Sequence, residues 1–345
     1  MNLIIRSLQF PQDLDILLQL TVKTFQFPNK PAWSVPENLA EILRPQVRAF
    51  KTIYPLWRFL TRSDAAQRQA LGGFLAEADG HPVGVANVLR FRQSPHYEIG
   101  NVGVLPEYRR QGIARRLMIA CLEHATTLGG TCAFLDVIAE NTAAVTLYKN
   151  MGFQVIDRSL ELSHPAPVPM PNARRLPSPY RSVAFGFGDG HYWAQLAAQL
   201  GKSDNVADYQ YLPNIRRIAP FYFSLAGLHF WGRAVTNEQG IVRAVLSLLF
   251  QNGTTTATLG ILDEALLPFV LRWITDVAAR RAPEASLTLS IRHSALPQEV
   301  LSAHAENAGF WIDFTYLRMA YTLPYQENCV QSKKMVCAQQ HHSEV

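Results

Sequence analysis

The spacing of apolar residues divides the chain into two series of elements that run in the same order. Residues 3–6 alternate as a short strand, and residues 11–24 place Leu14, Leu17, Leu18 and Val22 on one face of a helix. The stretch 25–71 is aromatic and is interrupted by Pro28, Pro31, Pro36, Pro45 and Pro55, so the pattern predicts only helical patches there, at 37–50 and 63–71. An antiparallel meander follows, with strands at 73–78, 83–92 and 97–105 that turn at Asp79-Gly80 and Ser94-Pro95. The series closes with a helix at 110–128, a strand at 132–137, a helix at 142–151 and a strand at 153–161.

Six prolines within residues 163–181 read as an extended linker. Beyond it the order recurs: a strand at 181–187, a helix at 192–200, a proline-interrupted segment to Pro220, and a meander at 224–235, 241–250 and 254–262. Val102-Gly103-Val104 matches Leu259-Gly260-Ile261 at an offset of 157, and Gly152-Phe153 matches Gly309-Phe310 at the same offset. Two landmarks in register and a shared element order predict a duplication. The expected domains are 1–162 and 182–325, joined by 163–181, with a disordered tail at 326–345. Both belong to the mixed α/β class.

Composition narrows the function. With 345 residues, 48 % of them hydrophobic, the chain can bury two cores. A net charge of +5 without a run of five Lys or Arg excludes a nucleic-acid binder on charge, and Arg109, Arg110, Arg115 and Arg116 form its one compact basic cluster. No apolar run reaches the roughly 18 residues of a membrane span, and Arg6 and Asp13 interrupt any signal-like start, so a cytoplasmic protein without membrane contact is expected. Four scattered cysteines agree with a reducing compartment.

That basic cluster lies where a strand ends, a polar loop turns and an amphipathic helix begins. The first N–H groups of a helix lack intrahelical partners, and Gly112 with the small Ala114 lets a diphosphate approach them, with Arg109, Arg110 and Arg115 adding charge-assisted bonds. An ordinary strand-to-helix turn with a solvated basic face is the alternative. Arg109-Arg110-Gln111-Gly112-Ile113-Ala114 fits the Arg/Gln-x-x-Gly-x-Gly/Ala pattern of the GNAT acetyltransferase superfamily. The lead-in Val104-Leu105-Pro106-Glu107-Tyr108 and the segment from Asn141-Thr142-Ala143-Ala144 to Gly152-Phe153 also resemble that superfamily, over about residues 72–162.

The resemblance implies two tandem GNAT-like domains, each a central mixed β-sheet flanked by helices, and an acetyl-CoA-dependent N-acetyltransferase in which a primary amine attacks the thioester directly. It implies central strands that splay after a bulge, a pantetheine arm along Val102, Gly103 and Val104, a pyrophosphate on the amides of Arg110, Gln111, Gly112, Ile113 and Ala114, and an oxyanion held by the Val104 N–H. Tyr148 occupies the position of the acid that protonates the departing thiolate, with a buried core tyrosine as the alternative. Asn141 is expected to bond the pantetheine or cap the next helix. For the base, period-two alternation puts Glu98 on the face of Val102 and Val104, with His96 in reserve and a surface carboxylate as the competing reading.

At the offset of 157 the loop falls on Leu266, Leu267, Pro268, Phe269, Val270 and Leu271, and Tyr148 falls on Ala305, so the second copy is expected to lack the cofactor. It would then pack on the first as an internal pseudo-dimer within a monomer. Cys329, Cys337, His341 and His342 match no standard zinc spacing, and no metal is expected. The acceptor is a small-molecule amine or a peptide, recognised by the aromatics of 25–71, among them Trp33 and Trp57, unless these form an auxiliary core. A non-catalytic acyl-CoA-binding module and an interaction scaffold remain as other classes of function.

Overall fold

The computed structural model describes residues 2–60, 71–90, 95–187, 189–201, 228–251, 253–324. The helical patch expected at 63–71, the tail and its cysteines and histidines, and the side chain of Trp57 lie outside the described residues. The described residues form two compact units, one within 2–135, 147–154 and 319–324 and the other within 136–146 and 155–318.

In the first unit, β1 (Leu3–Ser7), β2 (Leu71–Ala78), β3 (His81–Arg90) and β4 (His96–Val104) form the meander, each antiparallel to the next. Asp79 (φ 49°) and Gly80 (φ 83°) both take positive φ, the turn that matches the twist of a two-residue hairpin. β5 (Cys132–Ile138) then adds parallel to β4. Helix α1 (Leu14–Thr24) lays Leu17 and Leu20 on Leu8, Leu75 and Val85. The proline-rich segment is more helical than its sequence predicts. A single helix α2 (Leu39–Leu60) runs through Pro45 and Pro55, and Lys51 on it reaches Asp15 of α1 at 2.6 Å. Pro45 and Pro55 forfeit backbone bonds that a largely solvated helix can replace with water. Helix α3 (Ile113–Thr127) covers the other face through Leu117, Met118 and Cys121.

Helix α4 (Thr142–Asn150) ends in a Schellman motif: Gly152 at φ 96° donates to the Lys149 carbonyl and Phe153 to that of Tyr148. Beyond it comes β6 (Gln154–His164).

The second unit carries β7 (Arg181–Phe185), helix α5 (His191–Gln199), β8 (His229–Thr236), β9 (Val242–Gln251), β10 (Thr254–Ile261), helix α6 (Leu267–Arg281), β11 (Ser286–Ser294), helix α7 (Gln298–Asn307) and most of β12 (Trp311–Thr322). Its ladder runs β7-β8-β9-β10-β11, antiparallel except for β10 and β11. The duplication is visible in detail. Gly309 (φ 86°) and Phe310 close α7 as Gly152 and Phe153 close α4. A Cβ on Gly103 would lie 2.8 Å from the Thr24 Cβ of α1, and one on Gly260 would lie 2.8 Å from Trp193 of α5, so each glycine admits the helix that packs on its strand.

Strand pairing departs from chain order around β6. β6, the last strand of the first sequence copy, runs antiparallel to β11 within the second unit, from Leu160↔Ile291 to His164↔Leu287, and buries Leu160 and Leu162 in that unit's core. The segment after it folds onto the same unit rather than standing off as a plain spacer. The buried Asp276 of α6 accepts from the Met170 amide at 3.0 Å and faces Arg174 at 3.3 Å, and Asp263 takes the Tyr180 hydroxyl at 2.9 Å and pairs with Arg243.

Candidate active site

The site is built where β4 parts from β5. Its parallel ladder with β5 holds only from His96↔Cys132 to Glu98↔Phe134, which leaves the following residues of β4 without a partner on that edge. Within that stretch, Val85 opposes Gly103 and Asn87 opposes Gly100, so Asn101 and Val102 share the single partner Ala86 in a β-bulge. Asn101 takes φ 52° there, a conformation that asparagine tolerates better than most residues, and its amide nitrogen donates to the Thr21 hydroxyl of α1 at 2.8 Å.

The bulge overturns the period-two expectation for Glu98. The extra residue resets the alternation, so Gly103 shares the face of Glu98, while Val104 shares that of Tyr97 and Ile99. Gly103 meets the end of α1, and a Cβ on Gly84, the partner of Val104, would meet Leu117 of α3. Glu98 therefore belongs to the α1 face and Val104 to the α3 face. The half-buried Glu98 is two residues from His96, whose ring stands edge-on to Phe134 with centroids 5.4 Å apart.

Backbone direction decides what the free edge offers. The Leu105 N–H donates to the Val83 carbonyl at 2.9 Å, which makes Gly84↔Val104 the non-hydrogen-bonded pair of the antiparallel ladder. The N–H and C=O of Val104 thus point away from β3, into the gap that β5 leaves. After a 3-10 turn at Pro106–Tyr108, Arg110 (φ 63°) and Gly112 (φ 77°) both adopt the left-handed conformation before α3 starts. Alternating handedness of this kind turns successive N–H groups inward as an anion-binding nest, which the start of α3 extends. A Cβ on Gly112 meets nothing within 4 Å, so it is the positive φ and the space above the loop that favour glycine.

The arginines divide their roles. Arg109, Arg110 and Arg115 are all exposed, and Arg110 and Arg115 lie beside the nest. The Arg109 guanidinium instead donates through Nε to the Val104 carbonyl at 3.0 Å and through Nη2 to the Thr24 carbonyl at 2.9 Å. Tyr148 is 7 % exposed, with its ring 6.0 Å from that of Phe153. Burial, reinforced by the nearby Cys121 thiol of α3, pushes its hydroxyl above the ordinary tyrosine range, so it keeps its proton at neutral pH. Asn141 accepts from the Ala144 amide at 3.3 Å and so caps α4. Trp33 stacks edge-on with Phe27 at 5.7 Å under the Lys30 ammonium, 3.7 Å from its ring centroid.

The second unit lacks this opening. β10 and β11 stay paired from Thr254↔Ser286 to Ile261↔Ser294, with a bulge but no splay. The first turn of α6 contains Pro268 and buries Leu266, Leu267, Val270 and Leu271 where the nest would be, and Ala305 is fully buried.

Sequence reasoning missed Asn101, Thr21 and Thr24. The resemblance implied a bulge without placing it at Asn101, and no local signal tied the end of α1 to Arg109.

The Acetyltransferase (GNAT) family matches residues 37–153, the stretch that holds the bulge, the nest and Tyr148. The first copy of the chain is thus similar to the GNAT family. Over 81 residues it is 38 % identical to the N-alpha-acetyltransferase RimI of Mycobacterium tuberculosis, covering 23 % of this chain and 49 % of that protein. Over 112 residues it is 38 % identical to a mycothiol acetyltransferase of Streptomyces griseus, covering 31 % and 36 %. The chain thus spans half or less of the length of these relatives. A tandem GNAT protein from the clavulanic acid biosynthesis pathway shares its fold at TM-score 0.58 and 15 % identity, over 94 % of this chain and 100 % of that one. A GCN5-related N-acetyltransferase from Sphaerobacter thermophilus does so at TM-score 0.61 and 15 % identity, over 94 % and 97 %. Both of these solved structures share the fold over nearly the whole of this chain.

No described helix is long and apolar enough to cross a membrane.

Proposed function

We propose that this protein is an acetyl-CoA-dependent N-acetyltransferase whose first unit holds the active site and transfers acetyl to a primary amine by direct attack. The observation that carries this reading is the unpaired edge of β4, which aims the Val104 N–H into a gap that leads to the Arg110–Gly112 nest. Val102 to Val104 would pair with the pantetheine, and the amides of residues 110–114 would hold the diphosphate. Arg110 and Arg115 lie beside it. The Val104 N–H would stabilise the oxyanion that forms as the amine attacks.

Proton transfers are assigned to opposite faces of the sheet. Glu98, on the α1 face, is the base that takes the ammonium proton directly or through water, and His96 is its alternate. Tyr148, against α3, is the acid for the departing thiolate, and its raised proton affinity suits a donor that must not ionise before use. The relatives named for N-alpha and mycothiol acetylation support an amine acceptor that is either peptide or small molecule. The segment from Phe25 through α2 is the acceptor surface in this reading, with Trp33 part of its local packing.

Calorimetry of the full chain with acetyl-CoA tests the assignment, and about one site per chain is expected because in the second unit Leu266, Leu267 and Pro268 close the start of α6, where the first unit has its nest. Two equivalent sites would overturn the closure of the second unit, and no binding would end the enzyme reading. Thioester turnover with a panel of amines then separates catalysis from a non-catalytic acyl-CoA-binding module. In Glu98→Gln, the acidic limb of the pH–rate profile should vanish, since no carboxylate remains to protonate as pH falls. An unchanged profile would move the role to His96 or solvent.

A further inference from the structure

We infer that Arg109, the first residue of the cofactor motif, is a positioning residue that locks the oxyanion donor to the acceptor side of the site rather than a ligand of the diphosphate. The inference rests on the acetyl-transfer reading above. Its two acceptors explain why arginine stands there. The Thr24 carbonyl is at the C-terminal end of α1, where helix carbonyls have no intrahelical donor, and the Val104 carbonyl faces the gap where β4 has no strand beside it. Two orphan carbonyls from distant parts of the chain converge, and the planar fork of one guanidinium satisfies both, at 3.0 Å and 2.9 Å.

The 3-10 turn makes this possible by folding Arg109 back beside Val104, with the Arg109 amide on the Pro106 carbonyl at 3.2 Å. Gly103 supplies the other half of the clamp, because its missing side chain lets Thr24 and Phe25 press on β4. The consequence is mechanical. Val104 presents its N–H on the same edge as the carbonyl that Arg109 holds, so the guanidinium fixes the strand that aims the oxyanion donor. The other arm of Arg109 fixes the end of α1, from which the chain enters the proposed acceptor segment. Cofactor-side and acceptor-side elements are thereby joined by one side chain.

The test compares Arg109→Gln and Arg109→Lys with the wild type in the full-length protein, using CoA as the calorimetric probe at low and high salt, thiol release from acetyl-CoA, and amide exchange. For Arg109→Gln, the CoA dissociation constant should stay within about threefold of wild type with the same salt dependence, while thiol release falls about tenfold or more. Exchange at residues 21–27 should quicken in the same variant. Lysine keeps the charge but not the fork, so Arg109→Lys should also lose turnover and keep CoA affinity, and it serves if the glutamine variant does not fold. A CoA affinity lost in Arg109→Gln and restored in Arg109→Lys would make the residue a phosphate ligand and overturn the inference, as would variants unchanged in every measure. If the wild type binds no CoA, the acetyl-transfer reading fails, and the exchange at residues 21–27 still decides whether Arg109 holds α1.

Discussion

Gly112→Asp is expected to abolish CoA binding, with affinity falling by about two orders of magnitude or more, for two separable reasons. At φ 77° any L-residue with a Cβ carries a strain of roughly 1–2 kcal/mol, and relieving it would turn the loop amides out of the nest. The new carboxylate would also stand in the open space over the loop, where a diphosphate needs donors and not a second anion. Calorimetric titration with CoA checks the result. Gly112→Ala separates the causes, since it brings the strain without the charge: a milder loss is expected, and one equal to that of Gly112→Asp would assign the whole effect to backbone conformation. Folding should survive in both, because nothing packs on that position.

Tyr148→Phe should lower kcat by about a hundredfold, the usual scale for removing a positioned acid, and leave CoA affinity nearly unchanged. The ring stays packed against Phe153, so the melting temperature should move little. The sign of the pH effect follows from the burial of the hydroxyl. Because its proton affinity is raised, wild-type turnover should hold through the ordinary tyrosine range near pKa ~10 before any loss from ionised Tyr148 sets in. The same shift leaves stability untouched below that range and lowers it as pH rises from the ordinary tyrosine value of the unfolded chain to the elevated value of the folded state. A Tyr148→Phe enzyme with undiminished turnover would hand the proton to water.

Much of this was legible in the chain itself, and the reason is local. The meander, the helices and the hairpin at Asp79-Gly80 follow from alternation, amphipathic spacing and turn chemistry, each decided within a few residues. The glycine at 112 and those at 152 and 309 were readable because each answers a backbone demand that only its immediate neighbours set. The paired landmarks 157 residues apart showed the duplication, and the missing glycine and tyrosine of the second copy pointed to one working site.

What the chain alone left open depends on partners distant in sequence. The bulge at Asn101–Val102 is defined by its register against β3, and this moved Val104 off the face of Glu98 that simple counting had given it. The charge of Arg109 is local information, whereas the Thr24 carbonyl it holds 85 residues away is not. α2 runs past two prolines because the penalty of each is a local term that solvation and its contact with α1 can offset. The pairing of β6 with β11 could not be foreseen from pattern either, since an apolar strand such as Leu160–Leu162 suits any sheet edge with the right spacing. The sequence by itself determined most of the elements and the duplication. Tertiary structure decided which strand completes which unit, where the sheet opens, and which way the peptide groups at the opening point, because register and splay are set by contacts between segments and not within them.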